Sequence, residues 1–235
     1  MNLRILPGLA FACPLVFLAL FSNAVLSHSP GARVVVGTAY DKDTGSILYT
    51  EHHSCTDEGR ICTVQYRDTA GVTIANKTLD YRHSLFSPAL TMSDFRADLE
   101  LTLPAGADNN VVVDAGFDNY VRSIWKQLEL GETVRFPFLV AGFDEPISMR
   151  VGPTTSGSCD SAVLCLEVRI DSWLLGMLAD PIELSYSRVD RTLLRFSGVS
   201  NIKGTEGESL NVDIHYRYED EVLLGEAHAG PAARF

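Results

Sequence analysis

The sequence predicts a mainly β protein: about eleven antiparallel strands in a curled sheet or half-open barrel, with one amphipathic helix at 114–129 as plug or lid. A two-sheet β-sandwich is the alternative. Three observations point this way. Apolar and polar residues alternate through segment after segment, the period of a half-buried strand. Short Gly-containing turns separate several segments, and short connections join antiparallel neighbours. Only one long stretch carries helical spacing.

The chain opens with "MNLRILPGLAFACPLVFLALFSNAVLSHS": Arg4, an apolar run from Ile5 to Leu20, then small residues. That is the layout of a secretory signal peptide, expected to span 1–27. A single β-rich domain is expected over 28–225. The last residues, 226–235, are rich in small side chains and read as a loose tail.

The strands follow in order. Segments 33–40 and 46–53 flank the turn "DKDTG". In "ICTVQYR", Cys62, Val64 and Tyr66 share a side; a strand at 72–79 follows "DTAG". "DFRADLELTL" (94–103) alternates Phe95, Ala97, Leu99, Leu101 and Leu103 with polar residues and reads as one strand. "ETVRFPFLV" sets Val134, Phe136, Phe138 and Val140 on one side, and a strand at 145–152 comes next. "VLCLEVRI", "PIELSYSR", residues 192–198 and "SLNVDIHYRY" complete the set. The helix places Phe117, Tyr120, Val121, Ile124, Trp125 and Leu128 on one stripe. Asp114 is in position to N-cap it and Gly131 follows its end. A shorter helical candidate covers 172–180.

A sheet this large leaves a whole apolar face to be covered, at about 1.5–3 kcal/mol per large buried side chain. One helix of about four turns covers only part of it. The sheet is therefore expected to curl, with the helix over what the curl leaves open.

Net charge is −11. Such a surface repels nucleic acid and anionic lipid headgroups at long range, and no Lys/Arg cluster along the chain offsets it. Nucleic acid is therefore excluded as a partner. Four cysteines remain after the expected cleavage: Cys55, Cys62, Cys159 and Cys165. An even count in an exported chain argues for disulfides. Of three connectivities the local pairs are preferred, because "CTDEGRIC" and "CDSAVLC" each resemble a turn with facing arms. Loops this short contribute roughly 2.5 kcal/mol per bridge in the chain-entropy model. The spacings are too wide for a usual four-cysteine zinc site.

No nucleophile elbow, zinc-protease helix, P-loop or dinucleotide fingerprint is present. "GVSN" (198–201) reads as a turn. His52 and His53 are adjacent and point to opposite faces of a strand, so they do not readily share a metal. No cofactor is implied, and catalysis is not the favoured role. Asp114, Asp118 and Arg122 lie four residues apart on one helical face. They form a cap and a surface ion pair, or the mouth of a pocket with Arg122 facing an anionic headgroup. The tryptophans Trp125 and Trp173 both fall on helical segments. As lid residues, with Phe117, they would touch a bound apolar chain over a floor of Phe136, Phe138, Tyr186 and Phe196.

The stretches "DAGFDNYVRSIWKQLELGETVRFPF" and "TLLRFSGVSNI…VDIHYRY" are similar to uncharacterised exported proteins of Gram-negative bacteria. The strand pattern over most of 33–218 resembles the half-barrel of bacterial lipoprotein carriers. The resemblance is one of pattern, so it assigns no functional residue. It implies a periplasmic protein that shuttles lipids or acylated proteins. The expected function is thus a periplasmic binding or carrier protein for a lipid-like or other apolar ligand, with transient contact to a membrane or envelope protein. The alternative is a non-catalytic structural or interaction module of the cell envelope.

Overall fold

A computed structural model describes residues 33–106, 110–155, 159–172 and 180–220. The expected signal peptide, the tail at 226–235 and Trp173 lie outside these residues, as does most of the helical candidate at 172–180. The chain runs β1 (Arg33–Asp41), β2 (Ile47–Thr56), β3 (Ile61–Arg67), β4 (Thr73–Asp80), β5 (Ala89–Asp94), β6 (Leu99–Leu103) and β7 (Val112–Val113). Helices α1 (Gly116–Ser123) and α2 (Trp125–Glu129) follow. Then come β8 (Val134–Leu139), β9 (Ile147–Pro153), β10 (Val163–Ile170), β11 (Ile182–Ser187), β12 (Leu193–Lys203) and β13 (Ser209–Asp220).

All thirteen strands form one sheet, in the order β6-β5-β4-β3-β2-β1-β13-β12-β11-β10-β9-β8-β7. The sheet is curled and unclosed, and the two-sheet sandwich is not adopted. Every pairing is antiparallel except β7 with β8. Two strands exceed the expected eleven. The stretch 94–103 is split by a turn at 95–98, where Asp98 takes φ 49°. Its alternation was real, but Asp94 folds back to accept the N–H groups of Arg96 and Ala97. The second addition, β7, is too short to leave a periodic signal.

The order of the strands forces the curl. The two edge strands, β6 and β7, sit at opposite ends of the sheet, yet Val112 follows Leu103 by nine residues. Laid flat, twelve inter-strand gaps would span about 58 Å. Nine residues of chain reach at most about 32 Å. The edges must therefore approach each other, and the β4–β5 loop bridges them. Phe86 O accepts the N–H of Val113 (2.8 Å), Ser87 O accepts that of Gly106 (3.0 Å), and Ser87 Oγ donates to Val111 O (2.7 Å).

Curling divides the dry face into two cores. In the first, β1–β5 wrap toward β12 and β13 around Tyr49, Tyr66, Leu79, Leu90, Ile202 and Ile214. Asp94 closes this lobe by accepting the Lys203 N–H at 3.1 Å, although β5 and β12 are six places apart in the sheet. In the second, the helices lie on β8–β11 around Val121, Trp125, Phe136, Val151, Leu166 and Tyr186. Phe196 packs against both.

The helix expected at 114–129 is two short pieces with a break at Ile124 (φ −99°, ψ 13°). The Ser123 hydroxyl donates to the Tyr120 carbonyl at 2.7 Å, a local bond that bends helices. Asp114 is not the N-cap. It has φ 44°, and Ala115 occupies the cap position without a side-chain bond.

Gly116 opens α1 hard against the bridging loop: a Cβ there would lie 2.1 Å from Phe86 O and 2.6 Å from its carbonyl carbon. Backbone on both sides leaves little room to yield. Gly116→Ala should lower unfolding free energy by about 1–3 kcal/mol or more, as overpacking does. Denaturant titration checks this; unchanged stability would mean that the loop and helix are not held together.

Candidate functional site: a lid and its polar seam

Inward parity on the sheet puts Tyr49, Glu51 and His53 of β2 on the same face as Tyr66 of β3 and Ala75, Lys77 and Leu79 of β4. Lys77 thus enters an apolar interior, where an unpaired ammonium would be very costly. Its partner arrives from the turn before α1. Lys77 Nζ donates to both oxygens of Asp114, at 2.9 and 3.2 Å, and both side chains are only 5% exposed. Asp114 also accepts from Asn201 Nδ2 (2.9 Å) and from the Ala115 N–H (2.6 Å). One carboxylate therefore ties β4, β12 and the start of the helices together. Burial works to lower the Lys77 pKa, but the Asp114 carboxylate outweighs it and holds the ammonium above its ordinary value.

A second group sits on the neighbouring strands. The buried Glu51 carboxylate accepts the Tyr216 hydroxyl at 3.1 Å and lies 3.0 Å from His53 Nε2. His53 faces Tyr216 edge-on. His52 points the other way, beside the Thr50 hydroxyl at 3.1 Å. Ser200, expected in a turn, is in β12. Its oxygen accepts the Ile202 N–H (3.0 Å) and lies 2.6 Å from Tyr49 OH. Burial pushes the Tyr49, Tyr66, Tyr186 and Tyr216 hydroxyls well above the usual tyrosine range, so these remain neutral donors.

The third group fixes α1. Arg122 Nη2 pairs with Asp118 Oδ2 at 2.7 Å, and Arg122 Nε donates to the Arg191 carbonyl at 3.1 Å. Burial against the sheet pushes the Asp118 carboxyl up, with Arg122 opposing. The expected trio on one helical face is thus divided: Asp118 and Arg122 pair, while Asp114 turns inward to Lys77.

Of the aromatic residues expected to line a ligand site, Phe117, Phe136 and Phe138 pack on one another and Trp125 packs on Tyr186. Phe117 stacks on Phe136 with centroids 5.3 Å apart, and Phe138 meets both edge-on. Trp125 is 2% exposed, lies edge-on to Tyr186 at 5.9 Å and carries the Arg191 guanidinium over its ring at 5.4 Å. Phe196 bridges the two cores away from this cluster. Phe117, Tyr120 and Phe138 remain half-buried, so the cluster has an open rim.

Two disulfides close local loops, Cys55–Cys62 and Cys159–Cys165. They fit an oxidising, non-cytoplasmic compartment. Among the described residues no helix is long and apolar enough to cross a membrane, and no three His, Cys, Asp or Glu side chains form a metal-binding group. Two surface depressions stand out there, of about 500 and 150 Å³. Both are on the outer face, away from the helices. No family model matches the chain, and comparison with curated proteins finds no relative.

Sequence reasoning anticipated the two local disulfides but missed the polar groupings of Lys77 with Asp114 and Asn201, and of Glu51 with Tyr216. A signal existed for two of them. Lys77 alternates with Ala75 and Leu79, and Glu51 with Tyr49, so each sits on the dry side of its own strand.

Two outcomes follow. Lys77→Met should cost about 3–5 kcal/mol, because it strands a buried carboxylate. Lys77→Met with Asp114→Asn should recover a large part of that loss in urea unfolding. A fully additive loss would mean the two side chains do not interact. The Asp118 carboxyl, raised in the folded chain, favours folding when protonated, so its contribution falls as pH rises from about 4 through its folded value. Asp118→Asn should therefore gain stability relative to wild type between pH 4 and 7; a flat difference across that range would contradict the assignment.

Proposed function

We propose that the chain is a periplasmic binding or carrier protein for a lipid-like or other apolar ligand, with α1 and α2 as its lid. One observation carries this reading. The floor formed by Phe136, Met149, Val151, Leu164, Leu166 and Leu184 is covered by two short helices rather than by more sheet. The first core, by contrast, is closed strand against strand.

The lid's attachment fits reversible closure. Its leading edge is held by the Lys77–Asp114–Asn201 group and its flank by Asp118, Arg122 and the Arg191 carbonyl. The buried Lys77–Asp114 pair adds little net stability compared with apolar packing, but it fixes one arrangement. In this reading the packing of aromatic side chains between the helices and the sheet corresponds to a closed state. Ligand entry requires the helices to lift, and the half-exposed rim of Phe117, Tyr120 and Phe138 is where an apolar chain would first make contact.

A second reading, a non-catalytic interaction module of the envelope, is favoured by the outer edge of β6, which pairs with no strand among the described residues. Leu99 there is 41% exposed, and Phe95 in the preceding turn is 56% exposed. An unpaired edge is a template for another chain.

Purified protein taken from the periplasm, extracted with organic solvent and examined by lipid mass spectrometry, should carry stoichiometric lipid or take up a fluorescent fatty acid. Asn201→Ala should speed that uptake by loosening the latch. No co-purifying lipid and no uptake by either protein would remove the carrier reading and leave the module.

A further inference from the structure

The outer face of the sheet carries a feature that neither folding nor a lid explains. Arg135 of β8 is directly opposite Arg150 of β9, and Arg150 is directly opposite Arg169 of β10. Three arginines thus stand in one row across three adjacent strands. Facing residues in antiparallel strands have Cβ atoms about 4.5–5.5 Å apart, and like charges placed so are destabilising. The chain has only 19 Lys and Arg against 30 Asp and Glu. Concentrating three in a row is costly for the unliganded protein.

Nearby carboxylates compensate the outer two. Asp171 Oδ2 accepts from Arg135 Nε at 2.6 Å, and Glu167 accepts from Arg169 at 2.5 and 2.9 Å. Among the described residues, the central Arg150 approaches Asp171 no closer than 4.0 Å, and its side chain is 46% exposed. Among the described residues, two carboxylates therefore face three guanidinium groups. Beside the row is the depression of about 150 Å³, bordered by Thr133, Arg150, Gly152, Pro153, Glu167 and Arg169. Thr133 packs closely over Gly152 at its border, where a Cβ would lie 2.6 Å from Thr133 Oγ1. The larger depression near Tyr40 differs, because Asp213 and Glu183 both neutralise its Arg195.

We propose that this row is a binding site for a phosphate-bearing ligand, centred on Arg150. Guanidinium forks match the oxygens of a phosphoryl group and engage it with paired hydrogen bonds. A tetrahedral dianion seated over Arg150 neutralises the surplus charge and relieves the repulsion along the row. The phosphoryl group belongs either to a lipid headgroup at a membrane surface or to a soluble phosphorylated compound. The site is independent of the lid, on the opposite face of the sheet.

The test uses the whole mature protein and inorganic phosphate as probe, with chloride at matched ionic strength as control. Calorimetric titration and thermal shift should show phosphate binding to wild type. Arg150→Gln should weaken it at least tenfold, and Arg150→Lys, which keeps the charge but loses the fork, should weaken it too. Without phosphate, Arg150→Gln should melt no lower than wild type, since it removes repulsion; this also confirms that the variant folds. No phosphate binding by wild type, or equal binding by wild type and Arg150→Gln, overturns the proposal. A second arm separates the sources. Retention on phosphatidylglycerol but not phosphatidylcholine vesicles, lost in Arg150→Gln and reversed by phosphate, identifies a membrane headgroup. Phosphate binding without vesicle retention identifies a soluble phosphorylated ligand.

Discussion

A connection of eight residues between the two edges of a thirteen-stranded sheet is the constraint from which the rest of this structure follows. So short a link cannot cross a flat sheet, so the sheet bends until its ends are neighbours. Bending encloses the apolar faces of all the strands on one side. It also brings β4, β12 and the turn before α1 to one place, although they are far apart along the chain. Lys77, Asp114 and Asn201 meet there. The polar seam is thus a consequence of the curl, and its buried members, Lys77 and Asp114, satisfy each other.

Much of the architecture was legible because strand parity is a local property. The alternation of Leu164, Leu166 and Val168, or of Val212, Ile214 and Tyr216, is written in each segment and needs no knowledge of partners. The cysteine pairs were legible for the same reason, being six and seven residues apart. What escaped depended on distant contacts. A Lys on the dry side of β4 announces that something must meet it, but not that Asp114 does. Asp114 looked like a helix cap because Asp is a good one. The buried Lys77 ammonium needs a counter-charge more than the helix start needs a cap, and the carboxylate turned inward. The split of 94–103 escaped because Asp94 folds a turn onto itself while binding Lys203 across the lobe.

The two lobes divide the work differently. The first is sealed by strands on both sides, with Asp94 as its clasp. The second is sealed by two helices of eight and five residues, joined at a bent Ile124. Helices this short have little stability of their own and persist because their apolar stripe is buried. They form the part of the fold whose opening disturbs the fewest strand hydrogen bonds. On the other side of the same strands, the row of Arg135, Arg150 and Arg169 meets two carboxylates among the described residues, Asp171 and Glu167. Floor and arginine row are back to back, so β8–β10 hold an apolar surface inside and a cationic one outside.

The central claim is that α1 and α2 open as a unit while the sheet stays folded. Native-state hydrogen exchange measured residue by residue tests this most directly. The account predicts that amides of residues 117–130 exchange through a local opening well below the global unfolding free energy, together and independently of β12 and β13. If those amides instead exchange only with global unfolding, at the same free energy as the central strands, the helices are a fixed part of the core and no lid exists.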